Sequence, residues 1–179
     1  MKVRSTTILA VRRDGVTAFA GDGQITVGDA VFKSRTNKLR TMREGKVVAG
    51  YAGAAADALA LFERLEAKLD EYSGNVQRAA VELVKQWRMD KALRRLDALL
   101  LVADAESLLL ISGTGDVIVP DNDAMGIGSG GGYAQAAALA MLQHTDMAAP
   151  QIAEEAVRIA AGICVFTNDH ITVEVLSRD

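Results

Sequence analysis

Two pairs of amphipathic helices, separated by strand-like segments, constrain the fold of this 179-residue chain more than any other feature. Apolar residues recur on one face of each predicted helix, as helical periodicity requires. The first pair covers residues 54–72 and 76–94, and the second covers residues 133–143 and 151–161. Each pair must bury its apolar face on a sheet. The chain therefore needs a sheet surface for both pairs.

Strand signals occur before, between and after these helix pairs. Residues 7–13 and 16–21 flank Asp14-Gly15, which is a strong signal for a hairpin. Further strands are predicted at residues 46–52, 99–103, 107–112, 117–119 and 171–176. The resulting order favours an α+β fold of two stacked sheets with helices on both outer sides, although the order alone also permits other α+β arrangements.

Thr6-Thr7-Ile8 opens the first strand and has a second interpretation. A threonine hydroxyl is a poor nucleophile until a base takes its proton, and an α-amino group with a pKa of about 7.7 to 8.0 can be that base. Removal of residues 1–5 would give Thr6 a free amine. We therefore interpret residues 1–5 as a propeptide and residues 6–179 as a single domain, that of a hydrolase whose nucleophile is its own N-terminal threonine. Taken alone, a Thr-Thr pair far more often marks the start of an ordinary strand, because threonine is β-branched and common there.

Several other short stretches follow Thr6-Thr7-Ile8 in a fixed order. They are Gly21-Asp22-Gly23-Gln24, Asn37-Lys38, Ala49-Gly50-Tyr51-Ala52-Gly53, Ala56-Asp57-Ala58, Trp87-Arg88-Met89-Asp90, Gly113-Thr114-Gly115-Asp116, Gly126-Ile127-Gly128-Ser129-Gly130-Gly131 and Ile163-Cys164-Val165-Phe166-Thr167-Asn168. From Thr6 to about Leu176, this order resembles the HslV (ClpQ) family. These proteins are the peptidase subunits of bacterial proteasome-like HslUV complexes and belong to the N-terminal threonine hydrolases. The resemblance implies a four-layer αββα sandwich of the N-terminal nucleophile hydrolase type.

The same resemblance implies a threonine endopeptidase in which Thr6 is the nucleophile and its own α-amine is the general base. Asp22 and Lys38 match the family's acidic and basic partners of that threonine. A nearby cation would lower the pKa of the hydroxyl and the amine, and a carboxylate would hold the lysine in place. Each also has a bland explanation, Asp22 as a turn residue and Lys38 as part of a solvated basic stretch. Ser5 is a rival N-terminal nucleophile.

The resemblance also assigns roles to one residue in each of two glycine-containing stretches. Gly50 matches the glycine whose backbone N–H stabilises the oxyanion, although a glycine that permits close strand packing is equally compatible with the sequence. Ser129 matches a serine beside the nucleophile. The run from Gly126 to Gly132 fits neither a dinucleotide-binding pattern nor a Walker motif, so we expect no nucleotide on this chain.

Ala161, Cys164 and Thr167 match positions whose backbone carbonyls hold a sodium ion or a similar monovalent cation in the family. The family usually has glycine at the position of Ala161, and alanine is less free to adopt positive φ. Cys164 is the only cysteine of the chain. We interpret its side chain as a buried small apolar group, because no cysteine or histidine accompanies it.

The resemblance implies the partners of this chain, and the composition excludes nucleic acid and membrane as partners. The family implies an assembly of two stacked rings of six subunits. It also implies a hexameric AAA+ ATPase partner, HslU. This partner binds the ATP, activates the site allosterically and threads unfolded protein substrates inward. A formal net charge of −3 with scattered charges predicts no nucleic-acid partner. No apolar run approaches the roughly 20 residues that span a bilayer, so we expect no membrane partner. A single cysteine fits a cytoplasmic location.

Alternatives remain at this point. A proteasome β subunit, expected in rings of seven, would share Thr6, Asp22 and Lys38. A non-catalytic scaffold subunit would keep its leader uncut, and a small-molecule amidohydrolase of the same fold would need no ATPase. We prefer an active peptidase that removes its leader autocatalytically between Ser5 and Thr6.

Overall fold

A computed structural model describes residues 3–4, 6–53, 55–89 and 98–177. The strands are β1 Val3–Arg4, β2 Thr7–Arg13, β3 Val16–Gly21, β4 Ile25–Val27, β5 Ala30–Lys33, β6 Leu39–Met42, β7 Val47–Gly53, β8 Ala98–Ala103, β9 Leu108–Ser112, β10 Val117–Ile118, β11 Ala124–Gly128 and β12 Thr172–Ser177. The helices are α1 Ala55–Glu71, α2 Val76–Met89, α3 Gly131–His144 and α4 Ala149–Ala161. The predicted helical residues 90–94, and Met1, Lys2 and Ser5 of the predicted propeptide, lie outside the described residues.

Two antiparallel sheets form the centre of the fold. One sheet has the order β10-β9-β8-β7-β6 and the other has the order β11-β2-β3-β12, while β1, β4 and β5 form a separate small sheet. Side chains alternate between the faces of each strand. In β2, Ile8 and Ala10 therefore pack against the other sheet, whereas Leu9 and Val11 pack against helices.

The helix pairs cover the two outer faces, as the sequence predicts. Residues of α1 and α2, including Leu65 and Trp87, pack on the five-stranded sheet. Residues of α3 and α4, including Ala138 and Ile152, pack on the four-stranded sheet. The arrangement is a four-layer αββα sandwich, which confirms the predicted fold. Within the described residues, none of the helices combines the length and apolar character needed to cross a membrane.

The strands that the sequence does not predict are short or glycine-containing, and they surround one end of the sandwich. Strand β4 follows Gln24, β6 begins directly after Lys38, and β11 ends at Gly128. All four residues of β5 are exposed, so this strand carries no alternating apolar signal. These missed strands matter because they place the candidate site residues next to the start of β2.

Candidate active site

Thr6 lies immediately before β2 and is completely buried. Its hydroxyl oxygen, Oγ1, has no hydrogen-bond partner in the part of the chain that the structure describes. Its φ angle is 125°, a value that a β-branched residue rarely adopts. A buried hydroxyl without a partner loses free energy, so it requires an explanation such as a catalytic role.

The turn after β11 fixes the backbone of Thr6. The backbone N–H of Ser129 donates to the carbonyl oxygen of Thr6 at 2.9 Å. Gly128 has a φ of 87°, and a Cβ atom at this position would lie 1.9 Å from that same oxygen. Only glycine permits this approach. The structure therefore brings Ser129 next to Thr6 through its backbone, while its side chain is on the exposed surface.

Asp22 and Lys38 form a buried ion pair beside the start of β2. The Lys38 Nζ atom donates to Asp22 Oδ1 at 2.9 Å and to the carbonyl oxygen of Gln24 at 2.6 Å. The same Oδ1 atom accepts a hydrogen bond from the backbone N–H of Thr7 at 2.7 Å. One carboxylate oxygen thus links the lysine to the residue that follows Thr6. The interpretation of Lys38 as part of a solvated basic stretch is wrong, because its side chain is only 1 % exposed.

The environment of Lys38 acts on its proton affinity in two opposite directions. Burial disfavours the ammonium form and lowers the pKa of Lys38 below its usual value, and this effect exceeds the opposing attraction and hydrogen bond from Asp22. A buried lysine with a lowered pKa, paired with a carboxylate that binds the residue after Thr6, is typical of a catalytic centre.

Gly50 occupies a different position from the one that an oxyanion donor needs. The backbone N–H of Tyr51 donates to the carbonyl oxygen of Lys38, on the β6 side of β7. Because N–H directions alternate along a strand, the N–H of Gly50 points to the other side, where its β8 partner is Leu101. A Cβ atom at Gly50 would lie 2.7 Å from Ile8 Cγ2. Close packing therefore explains this glycine better than an oxyanion role.

Gly53, the last residue of β7, is the better placed donor and is not identified by the sequence. Because N–H directions alternate along the strand, the N–H of Gly53 points to the β6 side of β7. The pairing with β6 ends at Leu39 and Gly50, so this N–H lies past Lys38 and beyond the end of β6. Its φ of 134° is accessible only to glycine without strain. The neighbouring Ala52 lies next to Gly128, since a Cβ atom at Gly128 would be 3.2 Å from Ala52 Cβ.

Sequence reasoning also assigns no role to Gln24 and Asn168, although both belong to the stretches that carry the resemblance. The buried Gln24 amide donates to Thr26 Oγ1 at 2.8 Å and to the carbonyl oxygen of Val165 at 2.9 Å. The backbone N–H of Asn168 donates to Asp22 Oδ2 at 3.3 Å. The only available signal for these residues was their presence in short polar runs between predicted elements.

The three carbonyl groups predicted to hold a cation belong to the last residue of α4, Ala161, and to the turn that follows it. Ala161 ends the helix without positive φ, so alanine meets no strain at this position. The carbonyl oxygen of Cys164 accepts one hydrogen bond, from the N–H of Thr167, and keeps a second lone pair. No group of three metal-binding side chains occurs in the described ranges, so a cation in this turn would depend on carbonyl oxygens. These residues fit a hard monovalent cation.

This turn is joined to the site by a pair of hydroxyl groups. Thr167 Oγ1 lies 2.7 Å from Thr7 Oγ1, and both side chains are buried. A Cβ atom at Gly130 would collide with both hydroxyl oxygens. The turn, the start of β2 and the segment after β11 therefore pack as one unit around Thr6.

Residues of the predicted propeptide lie beside the same site. Val3 pairs with Val27 and Arg4 with Thr26, so that β1 adds an antiparallel strand to β4. Val3 and Arg4 are therefore held in an extended conformation next to the segment that follows Gln24.

Comparison with known proteins identifies the relatives of this chain. The sequence profile of proteasome subunits matches residues 3–176. The ATP-dependent protease subunit HslV of Petrotoga mobilis is 56% identical over 176 residues, which are 98% of this chain and 99% of the relative. The protein of the same name from Aquifex aeolicus is 58% identical over 174 residues, which are 97% of this chain and 99% of that protein.

Solved structures agree with the fold. Eukaryotic HslV from Trypanosoma brucei superimposes with a TM-score of 0.91 at 48% identity and covers 96% of this chain and 99% of its own. BPH of Thiobacillus denitrificans in complex with epoxomicin gives a TM-score of 0.75 at 18% identity, covering 97% of this chain and 99% of its own. At that identity the second structure supports the fold alone.

Proposed function

The chain belongs to the HslV branch of the proteasome subunit family and is a threonine peptidase subunit of an ATP-dependent protease, and we propose that Thr6 is its nucleophile. The buried, unpaired Oγ1 atom of Thr6 is the observation that carries this proposal. Asp22 and Lys38 support it, because their ion pair is joined to the next residue of the chain.

The proposed reaction begins once the leader has been removed. The freed α-amine of Thr6 takes the proton of its own hydroxyl, and Oγ1 attacks the carbonyl carbon of the substrate peptide bond. Lys38, when charged, lowers the pKa of both groups and favours this transfer. The amine then returns the proton to the departing amino group, which leaves an acyl-enzyme. Water activated by the same amine hydrolyses the ester and releases the second product.

The tetrahedral intermediate requires a fixed donor for its negative oxygen. The sequence-based expectation was Gly50, but the strand register directs its N–H toward β8. We assign this role to the N–H of Gly53, which lies at the open end of β7. Ser129 contributes by fixing the Thr6 carbonyl group through its backbone N–H.

We propose that residues 1–5 are a propeptide and that residues 6–179 form the peptidase domain. The pairing of Val3 and Arg4 with β4 supports removal by the chain itself, because it holds these two residues on a strand that begins directly after Gln24. The strained φ of Thr6 lies on the C-terminal side of the bond that must break. Strain at this position favours cleavage between Ser5 and Thr6.

The assembly follows from the relatives. An ATP-dependent protease of the HslV type combines a proteasome-like oligomer of peptidase subunits with a separate ATPase. We propose two stacked hexameric rings, an HslU hexamer that supplies the ATPase, allosteric activation by that partner, and unfolded proteins as substrates. The proposed location is the cytoplasm, and the proposed cation, sodium or a similar monovalent ion, would be held by the carbonyls of Ala161, Cys164 and Thr167.

Substitution of the candidate nucleophiles tests the proposal. The Thr6→Ala variant should be inactive toward a fluorogenic peptide when assembled with the ATPase, whereas Ser5→Ala should remain active. Full activity of Thr6→Ala would refute the role of Thr6. Loss of activity in Ser5→Ala alone would instead favour Ser5 as the nucleophile.

A further inference from the structure

Asn168 joins the two chain segments that carry Asp22 and Lys38, although it lies far from both in sequence. Its side-chain oxygen accepts a hydrogen bond from the backbone N–H of Gly23 at 3.0 Å. Its side-chain nitrogen donates to the carbonyl oxygen of Ser34 at 2.8 Å. Gly23 directly follows Asp22, and Ser34 lies directly after β5, on the segment that leads to Lys38.

The orientation of this amide is set by its neighbours. The Oδ1 atom of Asn168 also accepts from the backbone N–H of His170 at 3.3 Å, so the oxygen faces two donors and the nitrogen faces one acceptor. Only an amide of this length both accepts from the two N–H groups and donates to the carbonyl oxygen of Ser34. An oxygen in place of Nδ2 would face that carbonyl oxygen without a proton between them.

The space between the two segments is narrow. A Cβ atom at Gly23 would lie 2.5 Å from the carbonyl oxygen of Ser34, so the turn after Asp22 already touches the segment before Lys38. The backbone N–H of Asn168 meanwhile donates to Asp22 Oδ2 at 3.3 Å. Asn168 thus holds the carboxylate directly and both adjoining backbones through its side chain.

From these contacts we propose that Asn168 is a positioning residue, which keeps the Asp22 carboxylate in reach of Lys38 and of the N–H of Thr7 through its bridge between Gly23 and Ser34. This inference rests on the proposed function, since it assigns Asn168 to the same reaction. Asn168 itself touches no reacting atom. Its effect is on the rate of the chemical step, because a small displacement of a catalytic group costs up to about a hundredfold in rate.

Two variants separate the bridge from the general fold. Asn168→Ala removes the whole side chain. Asn168→Asp has nearly the same size and still accepts from Gly23 and His170, but it breaks the link to Ser34. The matched controls are Asn122→Ala and Asn122→Asp, in an exposed loop away from the site.

Each mature, assembled variant is measured for kcat and KM on a fluorogenic peptide, and its assembly is followed by size-exclusion chromatography. We expect kcat of both Asn168 variants to fall by about tenfold or more with KM within about twofold of the unmodified chain, whereas the controls are unchanged. Where Asn168→Ala fails to assemble, Asn168→Asp alone decides.

Three results would overturn the proposal. The first is an unchanged kcat in Asn168→Asp, the second is a loss seen only as a raised KM, and the third is a loss that parallels loss of assembly in both variants. A wrong role for Asn168 can be distinguished from a wrong nucleophile by labelling the unmodified chain with a threonine-directed peptide vinyl sulfone. An adduct on Thr6 confirms the nucleophile, whatever the Asn168 variants do.

Discussion

The Nζ atom of Lys38 lies 2.9 Å from Asp22 Oδ1 in an ion pair whose two side chains are 1% and 0% exposed. Moving two charges out of water is costly, and stability alone does not explain a pair of this kind, since apolar replacements are often neutral or stabilising. The pair is joined by a hydrogen bond to Thr7, the residue that follows Thr6 and its unpaired hydroxyl. A catalytic role accounts for its presence in the core.

Removal of the lysine cation should affect activity and stability together. In Lys38→Met, we expect kcat to fall by about 10² to 10⁴-fold, the usual range for a group that assists proton transfer. The free energy of unfolding should fall by about 3 kcal/mol, the lower part of the range for a broken buried pair, because Asp22 keeps its backbone donors. Steady-state kinetics and urea unfolding measure the two effects. Lys85→Met, which removes an exposed lysine paired with Glu82, is the control and should change neither.

The lowered pKa of Lys38 predicts how stability depends on pH. The unfolded chain has the ordinary lysine pKa of 10.5, and the folded chain has a lower one. Between these values the unfolded chain binds more protons, so the pair's contribution makes the free energy of unfolding rise with pH. Urea unfolding at pH values below 10.5 should show this slope, and the double variant Asp22→Asn, Lys38→Met should lose it. An unchanged slope in the double variant would contradict the assignment.

Gly128 and Gly132 provide a matched pair of glycine substitutions. Gly128→Ala places a Cβ atom 1.9 Å from the Thr6 carbonyl oxygen, so we expect loss of peptidase activity and a destabilisation of about 1 to 3 kcal/mol. Gly132→Ala meets no atom within 4 Å and lies in α3, so it should keep activity and gain at most about 1 kcal/mol. Peptidase assays and thermal unfolding of both variants test this contrast. Normal activity in Gly128→Ala would show that the Thr6 backbone is not held as described.

A peptide boronate bound to the mature assembly should identify the oxyanion donor. Boron bonded to Thr6 Oγ1 gives a tetrahedral centre whose oxygen occupies the position of the oxyanion. We expect that oxygen to lie about 2.7 to 3.1 Å from the N atom of Gly53 in a crystal structure of the adduct. A contact of that length to Gly50 would restore the assignment made from sequence.

The fold was predictable where the burial pattern is regular. Residues 7–13 and 16–21 are strands with the expected bounds, because two buried, mainly apolar runs flank a Gly-containing turn. Strand β5 could not be predicted in this way, because all its residues are exposed. Strand β11 could not be predicted because it contains glycine, which is rare within strands. Short strands of this kind depend on pairing with distant segments, which the local sequence does not reveal.

The candidate site was predictable in part. The resemblance supplied Thr6, Asp22, Lys38 and Ser129, and the structure brings these residues together, although their roles stay predictions. Asn168 lies 146 positions from Asp22 in sequence, so no local pattern places its side chain between Gly23 and Ser34. The direction of the Gly50 N–H depends on the strand register, which becomes known only once the pairing of β6 with β7 is given.

The role of Thr6 is tested most directly by the intact mass of the purified, assembled chain before and after treatment with a threonine-directed vinyl sulfone. If Thr6 is the nucleophile, the mass should lack residues 1–5 and then increase by one inhibitor per chain, which peptide mapping locates on Thr6. A chain that is fully active while it retains residues 1–5, or an adduct on a residue other than Thr6, would contradict it.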